Sequence, residues 1–250
     1  MEVHHHAHPS TSSGHRRKWT HYFWEFLMLF LAVFCGFLAE YQLEHKIEKD
    51  RGKQFIRSMY EDLKMDTAAL NAIIQNRQKR NEILDSIFFL IDSNGNRTSD
   101  LYYHARHITR TAPILFINND RTMHQLKYSG GLRLIKNKLV SDSIMMYDKQ
   151  VRLVIDRQET EVAHVRDCLP YCYRIFDGRV FAGMVDMNNA ISRLDINPPL
   201  LKYAGQDLDI FLGYCHAIKA INIGNNTHTR TLKEKAGRLI EILKREYHLE

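Results

Sequence analysis

The sequence predicts an all-α protein: a single N-terminal transmembrane helix continuing into a long stalk helix, packed in an irregular helical bundle. Three observations carry this prediction. Residues 22–39 form an apolar run with one charge. Apolar residues recur at helical spacing over several long stretches beyond it. The 250 residues include only 12 Gly and 5 Pro, which leaves little room for long disordered or repetitive segments. Apolar residues at 44% and charged residues at 26% are globular proportions. Once tail and anchor are set aside, the remainder has the size of one domain with a real core.

Residues 1–18 (MEVHHHAHPSTSSGHRRK) show no apolar periodicity and end in basic residues, so they are expected to form a disordered His-rich tail. His4, His5, His6 and His8, with His15, are weak candidates for a transition metal, since neutral imidazole suits zinc, nickel or copper. They lack acidic or thiol partners and a rigid frame, and attraction to anionic lipid is the competing reading. No metal or cofactor is assigned.

The transmembrane helix is placed at residues 19–40. Tyr22 to Ala39 is YFWEFLMLFLAVFCGFLA, and a helix of that length rises about 27 Å, close to a hydrocarbon core. Arg16, Arg17, Lys18, Trp19, Tyr22 and Trp24 mark one interface and Glu40, Tyr41 and Gln42 the other. A cleavable signal peptide is the main competitor. The crowded aromatics, an internal Glu and the unbroken helical pattern past Ala39 favour an uncleaved anchor.

Basic residues flank both ends. Arg16, Arg17 and Lys18 lie directly at the membrane without acids, whereas Lys46, Lys49, Arg51 and Lys53 begin farther out, mixed with Glu44, Glu48 and Asp50. The positive-inside rule then places the N-terminus in the cytoplasm and the large domain in the periplasm of an inner-membrane protein.

Glu25 is the one ionisable residue within the span. An intramembrane relay is one reading. Snorkelling to the interface, or pairing with Arg17 or Lys18, is the other. Glu25, Leu29, Ala32, Gly36, Ala39 and Leu43 follow alternating steps of four and three, which puts them on one stripe. Ala32-x-x-x-Gly36 would admit a close partner helix, so homo-oligomerisation or pairing with another membrane protein is expected there.

The stalk, residues 41–95, carries Ile56, Tyr60, Leu63, Leu70, Ile74, Leu84 and Ile87 at helical spacing, with Gly52 as its weak point and Ser93-Asn94-Gly95-Asn96 as its end. Residues 96–250 complete the bundle. A helix from Thr98 or Ser99 to Arg110 closes before Pro113. His104 and His107 share a face of it, yet no acid flanks them to make a metal or anion site.

Thr122-Met-His-Gln125 reads as a capping box for a short helix ending at Ser129-Gly130-Gly131. Val140, Ile144, Tyr147, Val151, Ile155, Val162 and Val165 predict a long helix over 138–169, bent or ended by Pro170. Residues 177–205 hold most of the turn formers. Helix resumes over 206–223 and breaks at Gly224-Asn225-Asn226. Thr231-Leu-Lys-Glu234 reads as a second capping box, opening a last helix with Leu232, Ala236, Leu239, Leu243 and Tyr247.

The net charge of +6 is dispersed and interrupted by acids, which argues against a nucleic-acid partner. There is no phosphate-cradling glycine loop, GxSxG elbow or HExxH. Asp207 and Asp209, two apart, point in different directions on a helix and suit its N-terminal dipole better than acid-base chemistry. Of the four cysteines, Cys35 is in the apolar run. Cys168, Cys172 and Cys215 form no CxxC or zinc pattern and read as buried free thiols, with a bond from one of the first two to Cys215 left open.

The opening MEVHHH, the stretch YFWEFLMLFLAVFCGFLAE, the following RSMYEDLKMDT and the later HQLKYSGGLRLIKNKLV resemble a group of uncharacterised membrane-anchored proteins from Gram-negative bacteria. The resemblance is strongest over residues 1–70 and 122–140. It implies an N-terminal anchor with a helical domain, implies that MEVHHH is native, and brings no active site. The expected function is a non-enzymatic, membrane-anchored interaction or scaffold protein of the cell envelope whose partners are the lipid bilayer and another copy or another membrane protein. The alternative is an extracytoplasmic sensory or ligand-binding domain. An enzyme would be signalled by a deep pocket gathering several of His104, His107, Arg110, His164 and His216.

Overall fold

The computed structural model describes residues 15–92, 97–110, 113–201 and 204–249. Its helices are α1 (His15–Asp92), α2 (Thr98–Arg110), α3 (Arg121–Tyr128), α4 (Lys138–Ile175), α5 (Gly178–Gly183) and α6 (Ala204–Tyr247), with a 3-10 turn at Gly131–Leu134 between α3 and α4. The chain divides into two compact units, residues 1–52 and 53–250. In the first, the described residues all belong to α1, which starts at His15 and so before the expected boundary at residue 19. Ser93–Asn96, the expected end of the stalk, lie outside the described residues, as do His4, His5, His6 and His8.

The second unit is an all-α bundle whose chain directions can be read from its two apolar clusters. In one, Ile56 to Ile73 of α1 meet Val140 to Val154 of α4 and Leu232 to Leu243 of α6. In the other, Leu84 to Leu90 meet Val165 to Ile175 and Phe211 to Ile218. The numbers of α1 and α4 rise together while those of α6 fall, so α4 runs parallel to this part of α1 and α6 antiparallel to both.

The intervening chain makes the return journey. Leu101, Tyr102, Ala105 and Ile108 of α2 lie in the second cluster, and Phe116, Met123, Leu126 and Ile135 lie in the first. The unit is therefore an up-down-up-down bundle whose second member is broken into α2, an extended stretch over 113–120, and α3.

That break is held by side chains from neighbouring helices. Pro113 supplies no N–H, and the stretch behind it needs partners outside a helix. The buried Gln158 amide of α4 accepts from the Phe116 N–H at 2.5 Å and donates to the Phe116 carbonyl at 3.2 Å. Buried Asp66 of α1 accepts from the Asn119 N–H at 2.9 Å and from its Nδ2 at 2.8 Å, while its other oxygen accepts from the Tyr147 hydroxyl at 2.6 Å.

Between the clusters lies a polar layer. Arg77 of α1 and Glu161 of α4 are buried, at 2% and 1% exposure. Arg77 donates through Nε to Glu161 Oε2 at 2.9 Å, and its Nη2 is also 2.9 Å from that oxygen. Arg77 Nη1 donates to Thr229 of α6 at 2.9 Å, and Asn225 Nδ2 donates to Glu161 at 3.1 Å. Farther along, Asn222 donates to Asn81 at 3.0 Å, and Arg80 donates to the Ile108 carbonyl of α2 at 3.3 Å. Burial pushes the Arg80 guanidinium down from its ordinary range, while Glu161, Cys168 and Cys215 oppose that shift.

This layer explains the main departure from expectation. The predicted break at Gly224-Asn225-Asn226 does not occur, and α6 is continuous. Asn222, Asn225 and Asn226 are buried and donate across the bundle instead of turning their own backbone, while buried Thr229 accepts from Arg77 and donates to the Asn225 carbonyl of its own helix. The second capping box is likewise absent, and the Thr231 hydroxyl donates to the Thr227 carbonyl in mid-helix. The first is absent too: α3 begins at Arg121, its N-cap Asp120 makes no side-chain cap hydrogen bond, and Thr122 is buried inside the helix.

The predicted helix over 138–169 begins as expected, with Asn137 Oδ1 accepting from the Val140 N–H at 3.4 Å, but runs on to Ile175. Pro170 is exposed, and buried Cys168, Cys172 and Ile175 hold the final turns to the core. Residues 177–201 are irregular as expected, apart from short α5, capped by the Asp177 side chain. The Tyr102 hydroxyl ties this region to α2 by accepting from the Asp177 N–H at 2.9 Å and donating to the Pro199 carbonyl at 3.1 Å.

Replacing Glu161 by Gln strands a buried guanidinium and should cost about 3–5 kcal/mol of stability. Replacing Arg77 and Glu161 together by Met and Leu should recover most of it. Urea unfolding of the detergent-solubilised chain, followed by circular dichroism, reads both, and equal losses in the single and double variants contradict the assignment.

Candidate functional site

The described residues contain one helix long and apolar enough to cross a membrane, and none of its apolar window is buried. At 100° per residue, Glu25, Leu29, Ala32, Gly36, Ala39 and Leu43 fall within a narrow arc, with Phe23, Phe26, Phe30, Phe34 and Phe37 on the opposite side. Phe26, Phe30 and Phe34 stack in sequence, with centroids 6.2 and 5.9 Å apart. A Cβ added at Gly36 would meet nothing within 4 Å, so the small-residue face is open.

Large exposed apolar surfaces mark places where a chain meets lipid or a partner. His21 Nδ1 lies 3.8 Å from Glu25 Oε2. The side chains of Arg17 and Lys18, the partners expected for Glu25, lie outside the described residues.

In the second unit, a cleft of about 390 Å³ is lined by Asp85, Ser86, Phe89 and Leu90 of α1, Asp100 and His104 of α2, and Arg97 and Arg193 from the connecting segments. Its charges are paired. Asp100 lies 2.9 Å from Arg97 Nη2 and 3.3 Å from Arg193 Nε, and Lys219 pairs with Asp85. The Arg193 guanidinium also stands 4.8 Å from the Tyr103 ring centroid.

Burial holds the His104 imidazole below its ordinary value of 6.5; Arg193 and His107 push the same way and Asp100 opposes them. The side chain is therefore neutral near pH 7, able to donate or accept one hydrogen bond.

Of the residues whose convergence would signal an enzyme, His104 alone lines this cleft. His107 packs against Tyr103 on α2, His164 turns Nδ1 to the Thr160 carbonyl at 2.9 Å, His216 is exposed, and the Arg110 side chain lies outside the described residues. Among the described residues, no group of three or more His, Cys, Asp or Glu is placed to hold a metal. Asp207, in the first turn of α6, pairs with Arg174 at 3.2 Å.

Asp100 stands beside His104 in the cleft, contrary to the expectation that no acid flanks it. It lies one turn earlier on the same helix, a spacing legible in the sequence, whereas Arg193 arrives from an irregular segment with no periodic signal. A second groove, about 590 Å³, separates Leu115 and Ile117 of the extended stretch from Ile155, Val162 and Arg166 of α4. No family model, curated protein or solved structure matches the chain.

Because the folded His104 binds a proton less readily than the unfolded chain, the stability it contributes is present above pH 6.5 and is lost as pH falls below that value. Thermal unfolding of the native chain should therefore fall off more steeply than that of His104→Gln between pH 7 and pH 5.5. Parallel curves contradict this.

Proposed function

We propose that this chain is a membrane-anchored interaction or scaffold component of a bacterial cell envelope, without enzymatic activity of its own. Residues 19–40 sit in the inner membrane, the N-terminus is cytoplasmic and the bundle is periplasmic. The supporting observation is the two-sided anchor: an uncovered apolar helix with phenylalanines on one face and Glu25, Leu29, Ala32, Gly36 and Ala39 on the other. The aromatic face suits lipid tails, and the small face suits a second helix at close range, because packing and not hydrophobicity drives association inside a bilayer.

The basic cluster Arg16, Arg17 and Lys18 supports the orientation. The stretches quoted above support membership of the Gram-negative membrane-anchored group.

Chemical crosslinking in mild detergent should trap the native chain as a dimer or larger species. Gly36→Ile, which puts a branched side chain on the small face, should reduce crosslinking at least several-fold while leaving the helical content unchanged. A monomeric native chain that also captures no other membrane protein contradicts the proposal.

The cleft at His104 favours one second reading, a ligand-binding domain. Arg97 and Arg193 both pair with Asp100 at the cleft, and a ligand carboxylate would share their remaining N–H donors, with Phe89 and Leu90 as an apolar wall. Under this reading, a small carboxylate raises the thermal midpoint of the native chain and fails to do so for Arg193→Ala. No shift across a panel of carboxylates removes the reading.

A further inference from the structure

The bundle presents a basic surface that neither the polar layer nor the cleft uses. Residues 121–138 hold five Arg or Lys (Arg121, Lys127, Arg133, Lys136 and Lys138) and no Asp or Glu. They run through α3, the 3-10 turn and the entry to α4. The turn is fixed against its neighbours: a Cβ added at Gly131 would meet the Phe55 ring of α1 at 3.1 Å, and Asn137 donates to Glu246 of α6 at 2.8 Å. The surface therefore lies at the end of the second unit that carries its first residue, Lys53. Lys53 and Arg57, on either side of Phe55, are exposed there as well.

These charges are largely unspent inside the fold. Lys127 pairs with Asp148 at 2.6 Å, but Arg121, Lys136 and Lys138 are exposed and make no ion pair among the described residues. Two acids that border the surface are already engaged. Glu246 accepts from Asn137 and lies 2.9 Å from Arg245 Nε, and Asp148 is held by Lys127 and by Arg152 at 2.8 Å. Two large apolar side chains stand among the basic ones, Tyr128 at 77% exposure and Leu139, next to Lys138, at 50%.

We propose that this surface binds the headgroups of anionic phospholipid, with Lys136, Lys138 and the neighbouring arginines meeting phosphate and with Tyr128 and Leu139 entering the interface between them. Charges spread over an open surface, with no enclosing pocket, suit a field of phosphates better than one shaped ligand. The apolar pair selects lipid over a nucleic acid or an acidic peptide, because a tyrosine at the headgroup level buries its ring and keeps its hydroxyl wet. Thirteen residues separate Glu40, where the proposed span ends, from Lys53, a tether that gives the surface access to the same bilayer. The inference rests on the membrane attachment proposed above and is indifferent to which side the bundle occupies.

The test places the full-length chain in nanodiscs of phosphatidylcholine alone, or of phosphatidylcholine and phosphatidylglycerol in equal amounts. An amine-reactive acetylating reagent is added and labelling is read lysine by lysine by mass spectrometry. Lys136 and Lys138 should label at least several-fold more slowly in the anionic discs, while exposed Lys79 of α1 labels equally in both. Salt near 1 M, where the Debye length falls to about 3 Å, should restore the labelling. Tyr128→Glu, which places an acid on an exposed site outside the core, should weaken the protection several-fold without changing the helical content.

Equal labelling in the two kinds of disc overturns the proposal, as does protection that survives high salt or is unmoved by Tyr128→Glu. Protection in neutral discs by free glycerol phosphate or by added duplex DNA, with none from anionic lipid, also overturns it, in favour of a small-anion or nucleic-acid site. A chain that fails to co-purify with the discs removes the membrane anchor instead. The detergent-free chain is then mixed with vesicles of the same two compositions: protection by the anionic ones alone retains the lipid surface, and protection by neither overturns it too.

Discussion

A buried guanidinium tolerates few arrangements, and the bundle is organised around one. Arg77 keeps its ion pair with Glu161 of α4 and its hydrogen bond to Thr229 of α6 only when both stand at the same level. Three helices are thereby fixed in axial register. A one-turn slip of any of them would leave an ion without its partner in an apolar interior, a far greater loss than misplacing a leucine. The apolar clusters on either side supply the bulk of the driving force for collapse, but Leu and Ile at helical spacing would accept several registers. The polar layer selects one.

The same logic explains why the second member of the bundle need not be a helix throughout. Where Pro113 ends helical pairing, Gln158 and Asp66 take over the backbone of the extended stretch, each from a helix whose position the polar layer has set. Irregular backbone inside a packed bundle is tolerable because its hydrogen bonds are supplied by neighbours.

Much of this was legible in the sequence. The apolar run, the stripes from Ile56 to Ile87 and from Val140 to Val165, the end of α2 before Pro113 and the start of α4 at residue 138 all follow from periodicity and punctuation. The errors share a cause. Asn225, Asn226, Thr122 and Thr231 were read for their local turn and capping chemistry, yet in the folded chain Asn225 and Asn226 bond across the bundle, Thr122 is buried, and Thr231 sits inside a continuous helix. Pro170 failed to stop α4 because its ring faces solvent while its neighbours are anchored. Local preference of about 1 kcal/mol per residue gives way to tertiary bonds. The cleft at His104 was only half visible, since Asp100 is a helical neighbour but Arg193 comes from a distant irregular segment.

In the proposed role, the anchor carries what the chain does. The proposed role requires residues 19–40 in a bilayer with the bundle on the periplasmic side, and reporter fusions at the C-terminus test that requirement directly. Alkaline phosphatase, which becomes active only after export, and a fluorescent protein that matures only in the cytoplasm are fused separately and expressed in a Gram-negative host. The account predicts phosphatase activity without fluorescence. Fluorescence without phosphatase activity would place the bundle in the cytoplasm and contradict it.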